Sequence, residues 1–248
     1  MSNTSKPPAT SASTYPSFPE SDLRGVARTA FDSPNPTQAQ LARRAKNNKA
    51  IREMGLPVLE TLPVVEDEQQ VKLRTPREAA ERCLATTFCA IKAEMQDQQL
   101  VDDLIKQYAA SHFLSPKERR FIENGAPSKQ DQVDFSWQYE CVHVFLWALQ
   151  AHAALAKPDE ICPVKDDMAA IKKIAPADFV AKARLRPAAE ILDMADLYYR
   201  LDWAAVELRV KGQKSDRIDE SIIRERHRAL NWLIRYLNQD WDDVTTDT

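Results

Sequence analysis

One stretch constrains the fold more than any other. Between Asp131 and Ala154 the chain runs through Trp137, Tyr139, Val142, Val144, Phe145, Leu146, Trp147 and Leu149 without the two-residue alternation of a half-buried strand. At 3.6 residues per turn this segment is apolar nearly all round. It therefore predicts one long, central, buried helix over 131–154, with other helices packed against it.

The rest of the sequence agrees with that class. Only four glycines occur in 248 residues, where average usage is about 7%, and sheet-rich or nucleotide-binding folds need more in turns and phosphate loops. Thr75-Pro76-Arg77-Glu78 is a helix start: a capping threonine, proline at the first helical position and a glutamate three residues on. Behind it Ala80, Leu84, Thr87, Phe88, Ile91 and Met95 recur at helical spacing. A second helix is expected from Asp97 to Tyr108. Ser115-Pro116-Lys117-Glu118 repeats the capping logic for a short helix ending at Asn124-Gly125. Further helices are expected at Gln38–Met54, near Asp167–Ile174, from Pro187 to Val210, and from Asp219 to about Leu237. The fold class is all-α: a single bundle-like domain over residues 38–248, with small β content allowed only near 56–74. Residues 1–37, rich in Ser, Thr and Pro, hold too few large apolar side chains to offset their ordering entropy, so they read as a disordered tail with local docking around Tyr15, Phe18 or Phe31.

Composition excludes several classes. A net charge of −3 with pI near 5.9 gives no global pull toward nucleic acid. No run of 18 apolar residues suggests a membrane span, and no apolar leader core is present. Of the cysteines, Cys83 and Cys141 fall on apolar helical stripes and read as buried free thiols, which fits a reducing, cytoplasmic setting.

Charges that sit on apolar stripes say more. In the last helix Arg226 lies within the stripe Ile222, Leu230, Leu233 and Leu237. In the preceding helix Asp202 lies inside the stripe edge, near Ile191 and Val206, and Arg209 follows at nearly the same angle. In the central helix Glu140 lies between Val133, Val144 and Trp147. Three helices thus aim a charge at the core, and an unpaired buried charge costs several kcal/mol. Mutual pairing is expected, with the fork of Arg226 holding Glu140, Asp202 or both. His227 and Asn231, four apart, extend the cluster. It is either a structural network that fixes helix register or a polar pocket for a small molecule.

Familiar active sites do not fit. Glu140-x-x-His143 is half of a helical di-iron motif, has no second copy, and places His143 about 60° off the core-facing side, so no metal is expected. Glu225 and His227 are two apart and cannot share a helix face as zinc ligands. Cys141 and His143 point about 200° apart. No phosphate loop or nucleophile elbow occurs, so no cofactor is expected. Arg43, Arg44, Lys46, Lys49 and Arg52 scatter round their helix without aromatic interleaving, as on a solvated helix. The closing acids read as solvated, with Trp241 folding back.

Trp137-Gln138-Tyr139-Glu140 with Leu146-Trp147-Ala148-Leu149, Asp196-Leu197-Tyr198-Tyr199-Arg200, Glu225-Arg226-His227 with Leu230-Asn231-Trp232-Leu233, and the closing Trp241-Asp242-Asp243-Val244-Thr245-Thr246-Asp247-Thr248 resemble the bacterial family catalogued as domain of unknown function 4272. The resemblance covers about residues 40–248. Two departures are Gln138, where it leads one to expect Arg, and Gln150, where it leads one to expect Gly. It implies a bacterial cytosolic protein and carries over no catalytic residues. The function expected is therefore protein interaction, as an immunity or accessory factor with another protein as partner. The alternative is an enzyme or small-molecule binder that uses the Glu140–Asp202–Arg226 cluster.

Overall fold

A computed structural model describes residues 35–248. The expected tail, with Tyr15, Phe18 and Phe31, lies almost wholly outside the described residues. Among the described residues the chain forms ten α-helices and two short 3-10 turns, with no strand. We number the helices α1 Gln38–Glu53, α2 Pro76–Met95, α3 Gln98–Gln107, α4 Pro116–Glu123, α5 Lys129–Trp137, α6 Tyr139–Ala148, α7 Val164–Lys172, α8 Pro176–Ala181, α9 Ala188–Val210 and α10 Glu220–Leu233. Residues 56–74 carry no β structure. None of the described helices is long and apolar enough to cross a membrane.

The caps explain the starts. Thr75 and Ser115 each accept from the amide three residues on, and Glu78 and Glu118 return the bond, as their spacing predicts. Thr37 with Gln40 and Ser128 with Asp131 do the same for α1 and α5. The single helix expected over 131–154 is instead two. It breaks at Gln138, and α6 ends at Ala148, where Gln150 takes a left-handed φ of 66°. The amides of Gln150 and Ala151 bond Trp147 and Leu146, closing a Schellman-type end. Residues 149–163 then run as a loop.

All ten residues of α6 are buried. It packs between α2 and α10, with α7 against it. On the far side of α10 lie α9 and then α1, while α3, α4, α5 and α8 surround α2. Two consequences follow for charges expected to be solvated. Arg43 of α1 is buried against α9, bonding Asp193 at 2.9 Å and Glu68 at 2.8 Å. Asp242 accepts from the Ser115 hydroxyl at 2.5 Å and the Lys117 amide at 2.8 Å, which places an anion at the start of α4. Trp241 beside it is buried, with the Arg228 guanidinium 4.1 Å from its ring centroid.

Candidate functional site

Arg226 on α10 is fully buried. Its Nε and one terminal nitrogen meet Glu140 Oε2, both at 2.8 Å. Its other contacts reach the loop: the carbonyls of Ala156 at 2.6 Å, Lys157 at 3.1 Å and Glu160 at 3.0 Å. The Tyr198 hydroxyl of α9 accepts from it at 2.9 Å. Glu140 Oε1 accepts the Cys162 amide at 2.8 Å. Burial alone would lower the Arg226 pKa, but Tyr198 and Glu140 beside it reverse this and hold it above its ordinary value. The cluster is therefore saturated by the chain's own groups.

The other residues expected to join it do not. Asp202 bonds His227 Nδ1 at 2.9 Å instead of Arg226. The two basic residues are adjacent on α10 and so turned about 100° apart. His227 is fully buried, and its Nε2 has no hydrogen-bond partner. Asn231 donates to the Thr245 carbonyl at 2.9 Å. Arg209 is exposed, because the last turn of α9 overhangs the start of α10, and it pairs there with Glu220 at 3.0 Å.

The loop explains what the sequence missed. It covers His143, which is buried and not turned outward. His143 Nδ1 lies 2.9 Å from Asp167 Oδ1, His152 Nε2 lies 2.6 Å from the same oxygen, and the Ala156 amide donates to His143 Nε2 at 3.0 Å. Arg186 completes the fastening, donating to the carbonyls of Trp147 at 2.7 Å, His152 at 2.5 Å and Ala153 at 3.2 Å. No sequence pattern separates buried Asp167 from its exposed neighbour Asp166, or marks His152 and Arg186. Their partners in this network lie 15–39 residues away.

His143, His152 and Asp167 bring ligand-type atoms within 4.8 Å of one another, which invites a metal. The polarity argues against one. A metal-binding imidazole donates its other N–H to an acceptor. Here Nε2 of His143 accepts from Ala156, so Nδ1 carries the proton and donates to Asp167. Ligation through Nδ1 would turn an Nε2–H against the Ala156 N–H.

On its outer side the loop walls a groove of about 440 Å3. Ala153–Pro158 form one wall, Lys46, Ala50 and Met54 of α1 another, and Met194, Leu197, Tyr198 and Leu201 of α9 the floor. At the rim Lys46 pairs with Asp193 at 2.7 Å and Arg186 with Glu190 at 2.8 Å, and exposed Lys157 adds a third cation. Glu140, Asp202 and Arg226 do not line it; Tyr198 joins groove and cluster through its hydroxyl, and Ala156 and Lys157 through their carbonyls. A smaller polar cavity of about 150 Å3 lies between Lys117, Gln138, Arg224 and Arg228.

Fold and site together define an all-α protein whose buried charges fasten a loop beside an apolar groove. The chain belongs to the family described as Domain of unknown function (DUF4272), which matches residues 43–244. No curated protein and no solved structure matches it.

Proposed function

We propose that this chain is a protein-binding factor of the bacterial cytosol, of the immunity or accessory kind, which takes an apolar segment of its partner into the groove between α1, α9 and the loop. The observation that carries the reading is where the charges go. Arg226, Glu140 and Arg186 all bind the chain's own loop, so the groove keeps a Met, Leu and Ala lining. Its rim carries charges of both signs, Lys46, Lys157 and Arg186 with Glu190 and Asp193. Such a surface suits a segment with a few apolar anchors and flanks of mixed sign, and Met54 and Met194 adapt to it. The test is capture from native-host lysate on immobilised chain. Wild type and the exposed-site variant Arg209→Ala retain a common partner, and Met194→Glu and Arg226→Ala lose it. A partner retained by Met194→Glu sinks the groove reading.

A second reading, a small-molecule binder, draws on Tyr198. Its ring lines the groove, its hydroxyl touches Arg226, and the volume falls within the range of about 300–1,000 Å3 typical of ligand sites. Binding of an amphipathic small molecule that Tyr198→Phe weakens tenfold, with no protein captured, would favour it.

A further inference from the structure

We propose that the smaller cavity, where α4, α5 and α10 meet, binds a small free α-amino acid. The ligand's carboxylate rests on Lys117 and Arg224, and its ammonium on Glu225 and the Gln138 carboxamide. This site shares no lining residue with the groove, so it stands or falls apart from the reading above.

The cavity holds an unspent polar group. Gln138 stands at the break between α5 and α6, and its backbone bonds into both helices. Its side chain lines the cavity, the residue is only 6% exposed, and its Oε1 has no hydrogen-bond partner. A buried carboxamide left unpaired costs free energy that a ligand recovers on binding. Its last torsion is soft and roughly two-fold, so either the oxygen or the nitrogen can turn to an incoming group.

The charges select the ligand. Lys117, Arg224 and Arg228 bring cations to the lining, and Asp134 and Glu225 bring carboxylates. Arg228 is committed elsewhere: it donates to the Trp241 carbonyl at 3.0 Å and lies over the Trp241 ring. Glu225 stands 3.8 Å from Arg228, beyond hydrogen-bond length, and accepts from the weak thiol donor of Cys141 at 3.4 Å. A simple anion would serve the cations and offer no donor to Glu225 or Gln138. A simple amine would do the reverse. A zwitterion serves both. The volume is about 150 Å3, a size that admits benzene and hence about six non-hydrogen atoms. Glycine, alanine and serine are of that size, and phenylalanine is too large.

The experiment is isothermal titration calorimetry on the full chain with glycine, L-alanine and L-serine in turn, and with acetate, phosphate, ethanolamine and L-phenylalanine for contrast. At least one of the three small amino acids binds with a dissociation constant of about 0.1–1 mM, modest because so few atoms make contact. Acetate, phosphate, ethanolamine and L-phenylalanine bind about tenfold more weakly or not at all, each lacking one charge or the fit. Gln138→Met and Glu225→Gln each weaken the amino acid about tenfold, with circular dichroism unchanged. No heat from any of the three at about 10 mM overturns the proposal. So does acetate or phosphate binding as tightly, which would mark a simple anion site, or an affinity indifferent to both variants, which would place the ligand elsewhere. Should a variant lose its folded spectrum, the contrast between amino acids and half-ligands on the wild-type chain decides alone.

Discussion

Replacing Arg226 with methionine tests whether the central network is sealed. The side chain is fully buried and pairs with a carboxylate that is itself almost fully buried. Removing one partner of such a pair costs about 3–5 kcal/mol, because the other charge is stranded. The carbonyls of Ala156, Lys157 and Glu160 lose their donors too. They lie in a loop that water can reach once loosened, so they add about 1 kcal/mol in all. The sum, about 5 kcal/mol, is a large share of the ~5–15 kcal/mol that holds a typical domain together. With a urea slope of about 2.5 kcal/mol per M, the midpoint falls by about 2 M. Tryptophan fluorescence follows it, since Trp232 and Trp241 pack on Phe145 of α6. Glu140→Gln, which retains an acceptor for Cys162, costs about 3 kcal/mol. The double variant Glu140→Met with Arg226→Met recovers about 1–2 kcal/mol over Arg226→Met alone, because no charge remains stranded. A cost under about 1 kcal/mol for Arg226→Met at unchanged slope would refute the sealed network. A double variant no better than the single would show that loop fastening, and not charge pairing, carries the energy.

Three further outcomes are expected. Burial pushes the Glu66 carboxyl up to about 7, with one oxygen lacking a hydrogen-bond partner; the folded state then holds the proton that the unfolded state releases near 4.5. The stability this gives is complete below that value and is lost as pH rises through about 7, so wild type loses about 2 kcal/mol between pH 5 and 8 relative to Glu66→Gln, and a slope of opposite sign in urea titrations would sink it. Because the Ala156 amide fixes the His143 tautomer, excess zinc raises the melting temperature by less than about 1 °C; a rise above about 4 °C that His152→Ala removes would establish a metal site. Gln150→Gly relieves a left-handed residue worth about 1–2 kcal/mol and gives up one exposed bond to Leu185, so stability rises by about 0.5–1 kcal/mol; a fall would mean the side-chain bond dominates.

Local signals were legible where a few residues carry the physics. The boxes at Thr75 and Ser115 needed only four residues each, and the Glu140–Arg226 pair followed from two wheels with a charge on each apolar face. Legibility ended where a distant segment decides. Arg209 lies on the same stripe as Asp202, yet it is exposed because α10 begins too late to cover it. Arg43 reads as one charge among many until Asp193, 150 residues away, claims it. His143 reads as outward until the loop crosses it. The break at Gln138 and the end at Ala148 carry no proline or glycine, so nothing local marks them.

The fastening of the loop also sets a clock. The arginine that holds the Ala156 carbonyl is 70 residues further along the chain. At synthesis rates of about 5–20 residues per second it arrives roughly 4–14 s after the carbonyl it binds. Through that interval the groove lacks a settled wall, and the His143–Asp167 pair beneath lacks its cover. The groove wall therefore settles late in a nascent molecule, and variants that weaken the fastening should show first as lowered yield in cells.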